Sequence, residues 1–259
     1  MGHVRLGHLP RTRGWRAVID LLNEGGDAGA IADAASAAGH TGLEAAKRDP
    51  GVAESLFLLT QLPIAAKHDN FAAALRHVGV PVTDRPGLFE LTSAISEALD
   101  SRLRGRAKTD LGEMAGLAAV ETVTHFVGAR LPSLFEADSD DVRAAVGSMS
   151  TEKNFGMLTR AFFARFSERY LTYFLSRELS AHVGPGERFQ QIDDHSDFNS
   201  ALRRHCYEAA RIVEQFAGEW FSKASWQKDV SLARTRRFAA VAITKLRAEF
   251  SRREGTAGG

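Results

Sequence analysis

The chain is 259 residues long, with 44% apolar and 25% charged residues, a formal net charge of +1 and a single cysteine. That length and balance suit one large folded unit or two small lobes, and they exclude intrinsic disorder. Because Cys206 stands alone, an internal disulfide framework and an all-cysteine metal site are excluded too, which predicts a reducing, cytoplasmic setting.

No apolar run approaches the length of a membrane span. The stretch AFFARFSERYLTYFLSREL carries Arg165, Glu168, Arg169, Arg177 and Glu178. The first residues lack the continuous apolar core of a secretory signal, and Leu6 stands where a myristoylation motif needs Ser or Thr. A chain rich in Ala, Arg and Gly and poor in Lys predicts a bacterial source.

In chain order, Gly2, Gly7 and Pro10 argue against helix at the start, so residues 1–14 read as an extended basic arm. Trp15, Val18, Ile19 and Leu22 then share one face of a first helix, ended by Gly25 and Gly26. DAGAIADAASAAG is a second helix, stopped at Gly39. Thr41 with Glu44 predicts a capping box for a short third helix before Pro50. VAESLFLLTQL follows, with Pro63 as its interruption. Asp69 or Asn70 caps FAAALRHVG. Pro86 suits the first turn of a helix carrying Leu88, Leu91, Ile95, Leu99 and Leu103. Asp110 with Glu113 opens LGEMAGLAAVETVTHFVGARL, which is apolar over most of its circumference and is therefore placed centrally.

Residues 132–150 read as a linker with a short helix. They divide an Ala/Leu-rich lobe (15–131) from an aromatic-rich lobe (151–252), and residues 253–259 read as a disordered tail. In the second lobe Phe155, Leu158, Phe162, Phe166, Tyr170 and Phe174 fall at helical spacing. A helix with Phe198, Leu202, Cys206, Ala209 and Val213 follows, and a last one carries Leu232, Ala239, Ile243, Leu246 and Phe250. No strand alternation and no internal repeat is found. The predicted class is all-α, a multi-helix bundle of two packed lobes.

No P-loop, dinucleotide fingerprint, nucleophile elbow or zincin helix is present, and no cofactor is implied. Four weaker constellations remain. The His68-Asp69 pair in AAKHDNF resembles the metal-binding pair of HD phosphohydrolases, which implies His40, His68 and Asp69 as ligands and a metal-dependent hydrolase. Asp69 equally stands where a helix N-cap is wanted. In QIDDHSDFNSALRRHCYE, the residues Asp193, Asp194, His195 and Asp197 precede a helix bearing His205, a set of hard oxygens and imidazoles suited to a divalent ion. Acids also favour a helix start, and Ser196 or Asp197 can cap one, with His205 as a hydrogen-bonded core residue. Glu121 and His125 lie one helical turn apart and can act as an acid–base pair in a cleft, or simply bond to each other.

The fourth constellation is charge placement. Arg5, Arg11, Arg13 and Arg16 occur without an acid, and residues 222–259 hold nine cations against three acids, so the middle of the chain is acidic. Basic ends of this kind suit phosphate contact, with Arg11, Arg13, Arg234, Arg236, Arg237 and Lys245 as the binding residues and Trp15 and Trp226 available to stack on bases. They also suit pairing with the protein's own acidic body. The sequence therefore predicts a non-enzymatic accessory or scaffold subunit of a bacterial multi-protein assembly, such as a phage-defence system, with another protein as partner. Nucleic acid (DNA or RNA) is the alternative partner, and no membrane is involved.

Overall fold

A computed structural model describes residues 12–132, 137–179 and 192–257. Among them the chain forms twelve α-helices and no strand, the all-α bundle that the periodicity predicts. No helix among these residues is long and apolar enough to cross a membrane.

The local rules account for most helix ends. The first helix, α1 (Arg13–Asn23), starts at Thr12, whose hydroxyl accepts from the Trp15 N–H, and it gives way at Gly25, which sits at φ +77°. Asp27 caps α2 (Ala28–Ala38), accepting from the N–H groups of Gly29 and Ala30. Asn70, and not Asp69, caps α5 (Phe71–His77). Asp138 and Asp141 form a reciprocal capping box on α8 (Ser139–Gly147).

Other ends differ from the sequence expectation. The short helix α3 (His40–Ala46) begins at His40, where Gly39 breaks the chain from α2, so Thr41 lies inside the first turn and forms no box. Glu44 turns instead to Lys47 and Arg247. The next helix, α4 (Pro50–Ala65), runs through Pro63, because a proline in the last turn removes only one ladder bond. Pro86 lies just outside α6 (Leu88–Arg102), whose N-cap is Gly87. Thr109 caps α7 (Asp110–Gly128), leaving Asp110 and Glu113 to favour its first-turn dipole.

Caps and packing meet where α4 and α7 start. Asp49 accepts from the Val52 N–H with one carboxylate oxygen and from the Thr109 hydroxyl with the other, while Thr109 accepts from Gly112. One network thus satisfies two helix N-termini, and a Cβ on Gly51 would stand 2.4 Å from the Gly112 Cα.

The 28-residue helix α9 (Glu152–Leu179) runs through the core and packs against α7, α10 (Ile192–Ala209) and α11 (Arg211–Trp226). Its aromatic row is interior: Phe155, Phe162, Phe163 and Phe166 have no exposed surface, and Tyr170 and Phe174 are buried. Each such side chain contributes about 1.5–3 kcal/mol through burial. The last helix, α12 (Leu232–Ala257), lies against α2, α3 and α4, and it continues through residues read as tail. The helices from either side of 132–150 share one continuous hydrophobic cluster, with Trp15 of α1 against Phe174 of α9 at 4.9 Å.

Candidate functional site

The helical frame distributes the candidate residues very unequally. His68 and Asp69 lie exposed in the turn after α4, bordering a shallow pocket of about 450 Å³. Arg143 of α8 holds that turn by donating to the carbonyls of Ala66 and His68. His40 is elsewhere, on α3, in contact with the Arg247 guanidinium, which Glu44 also binds. Partial burial, and then the Arg247 charge, hold the His40 imidazole below its ordinary pKa, so it is a neutral base at neutral pH.

The second cluster divides as well. Helix α10 begins at Ile192, so Ser196 and Asp197 stand within it and not at its cap, and Asp197 is exposed. The side chains of Asp193, Asp194 and His195 lie outside the described residues. His205 turns inward to Asp33 of α2, with Nε2 3.1 Å from the carboxylate and both side chains about one-tenth exposed. Its ring stacks on Phe250 at 5.8 Å. Cys206 beside it has no exposed surface, and burial, reinforced by the Glu168 charge, pushes its thiol pKa up. Among the described residues no group of three or more His, Cys, Asp or Glu side chains converges as metal ligands would.

Glu121 does not bond to His125. Its carboxylate lies between two arginines of α9, 3.2 Å from Arg165 Nε and 2.7 Å from Arg169 Nη2. Burial raises its pKa, but the Arg169 hydrogen bond and the two guanidinium charges outweigh that and hold the carboxyl below its ordinary value. His125 is exposed on the same helix.

The basic candidates lie closest together in sequence along the α11–α12 corner. Trp226, the last residue of α11, is 86% exposed. Lys223 precedes it by one turn on the same helix, and Lys228 follows in the turn with φ 52°. The corner is pinned from three sides. Asp229 donates its N–H to Ala224, Gln61 of α4 donates to the Val230 carbonyl, and Arg234 donates to both Gln227 and Asp229 at 2.9 Å. Arg234 is thereby a brace and not a free cation. Arg236 and Arg237, in the second turn of α12, are exposed and pair with no acid among the described residues. Lys245, two turns on, is exposed with its ammonium 5.4 Å from the Phe216 ring.

The amino-terminal candidates contribute less. Arg11 lies outside the described residues, and Arg13 is exposed at the start of α1. Trp15 is 1% exposed, so it is core and cannot stack on a base. The sequence signal for that was its sharing a face with Val18 and Leu22. No protein-family model matches the chain, and no curated protein and no solved structure matches it either.

Proposed function

We propose that the chain is a non-enzymatic helical subunit that contacts single-stranded nucleic acid at the α11–α12 corner. The observation that carries this is the exposed Trp226, flanked along the two helices of the corner by four exposed cations (Lys223, Lys228, Arg236 and Arg237) that pair with no acid among the described residues. A tryptophan left in water forgoes about 1.5–3 kcal/mol of burial. An unpaired base stacked on the indole recovers that, and the flanking cations neutralise the adjoining phosphates. Bases inside a duplex are already stacked, so the strand must be single.

The pinned turn supports the reading further, since it holds the backbone next to Trp226 before any strand arrives and lowers the ordering cost of binding. A labelled oligothymidylate of about 16 nucleotides, followed by anisotropy, tests it. Binding in the micromolar range at low salt is expected, weakened at least about tenfold when Arg236→Glu and Arg237→Glu are combined. Affinity unchanged by that pair would overturn the reading.

A second reading rests on Val241, which is 49% exposed one turn beyond Arg237. Val241 and Trp226 together suit the apolar centre of a protein interface with a basic rim, as in a subunit of a larger assembly. A partner protein bound there would survive high salt and lose affinity with Trp226→Ala, with little response to charge reversal.

A further inference from the structure

The groove that α7, α9 and α10 enclose carries more positive charge than its own acids balance. It measures about 610 Å³, within the usual range of small-ligand sites. Arg130 enters it from just beyond α7, Arg165 from α9, and Arg203 and Arg204 from α10, with Arg169 close behind Arg165. Two carboxylates face these five guanidiniums. Glu121 is shared by Arg165 and Arg169, one anion for two cations. Glu168 takes Arg203 at 3.1 Å.

The other two arginines have no acid among the described residues. Arg130 donates to its own Phe126 carbonyl at 2.9 Å and lies over the Phe126 ring, 3.5 Å from its centroid. Arg204 is exposed and takes no partner among the described residues. Three positive charges thus go unbalanced in one concavity of a chain whose net charge is +1.

This is not a solvated charge run. Arg165 is only 18% exposed and Arg130 is seated on an aromatic face, so their planar forks are set before a ligand arrives. Linked phosphates are the anion that fits, because they bring about two to four charges and oxygens spaced for bidentate contact with guanidinium. His125 at the rim adds a further donor. Tyr207 forms one wall, its ring held by the Arg160 guanidinium 3.9 Å from the centroid.

We propose that this groove binds the diphosphate or triphosphate group of a nucleotide-sized ligand, with Arg130, Arg165, Arg203 and Arg204 as the phosphate-binding residues. This site is separate from the α11–α12 corner and stands whether or not that corner binds nucleic acid.

Titration calorimetry and thermal melting with inorganic pyrophosphate and with ATP, each up to about 5 mM at low salt, test it. Saturable binding of either is expected, with a higher melting temperature. Tighter binding of ATP identifies a nucleotide, and equal binding identifies the phosphates alone as the determinant. Arg204→Glu, which removes no internal contact and should fold normally, is expected to weaken binding about tenfold or more, and Arg130→Ala by a similar factor. The pair Arg236→Glu, Arg237→Glu should leave it unchanged. Absence of binding to both probes, binding indifferent to Arg204→Glu, or loss with the α12 pair would each overturn the proposal.

Discussion

Tyr170 donates its hydroxyl to the carbonyl of Gly39 at 2.6 Å, tying the middle of α9 to the break between α2 and α3. The ring fits because the neighbouring residues lack side chains: a Cβ on Gly42 would lie 2.2 Å from the Tyr170 oxygen, and one on Gly39 2.7 Å from the ring. Burial holds the phenol well above its ordinary pKa, so it remains a donor at any physiological pH. Tyr170→Phe should cost about 1 kcal/mol, since it removes the buried hydroxyl's bond while the Gly39 carbonyl keeps the N–H groups of Gly42 and Leu43. Gly42→Ala should cost about 1–3 kcal/mol by overpacking, and more if the ring cannot retreat. Urea unfolding of the two variants measures both, and Gly42→Ala must be the worse for the cradle to matter as described.

In the ion pair between Glu54 of α4 and Arg102 of α6, one partner is nearly sealed from water. Glu54 is 4% exposed and accepts from Arg102 Nε at 2.8 Å. Arg102 also donates to the Val78 carbonyl and rests 4.9 Å from the Phe57 ring centre. Glu54→Ala should cost about 3 kcal/mol, because it strands a partly buried guanidinium. Replacing both residues by apolar side chains should cost much less than the sum of the single changes. Additive costs in that cycle would show that the two charges do not depend on each other.

Acid should destabilise the fold in two steps, and the signs follow from the shifted groups. His40 has a lower pKa in the folded chain than its ordinary 6.5, through burial and the Arg247 charge. The unfolded chain therefore takes up the proton first, and stability falls as pH drops below about 6.5 toward the folded value. Glu121 also has a lowered pKa, because the guanidiniums of Arg169 and Arg165 outweigh its desolvation. Its contribution is complete above its ordinary 4.5 and is lost as pH falls below that. Melting temperature measured from pH 8 to 3 should show both steps, His40→Gln removing the upper and Glu121→Gln the lower.

Features decided within a few residues were legible in the sequence. The aromatic row from Phe155 to Phe174 gave the core face of α9, and Asn70 stood as one of two candidate caps of α5 because a cap bonds to backbone two or three residues away. What failed was decided by distant partners. Glu121 chose arginines of another helix over His125 four residues along. Asp49 and Thr109, sixty residues apart, share one capping network that no local pattern announces. The groove arginines were invisible for the same reason, since Arg130, Arg165 and Arg204 come from separate segments and only packing sets them side by side. Arg236 and Arg237 were legible as cations, but their having no acid among the described residues, and the bracing of Arg234 by Asp229, required the fold.

Trp226 offers a direct optical test of the corner. Of the three tryptophans, Trp15 is 1% exposed and Trp220 stacks on Phe238 at 4.2 Å, whereas Trp226 is 86% exposed. Iodide should therefore quench the Trp226 emission selectively, and Trp226→Phe should abolish the quenchable fraction. Single-stranded oligothymidylate should shield the indole from iodide, while a duplex of the same length should not, because its bases are already paired and stacked. If Lys223, Lys228, Arg236 and Arg237 each meet one phosphate, the logarithm of the binding constant should fall with the logarithm of salt with a slope of about −3. Shielding by the strand with a slope near zero would place a base on Trp226 without phosphate on the cations, and the corner would then be an aromatic platform whose charges serve some other contact.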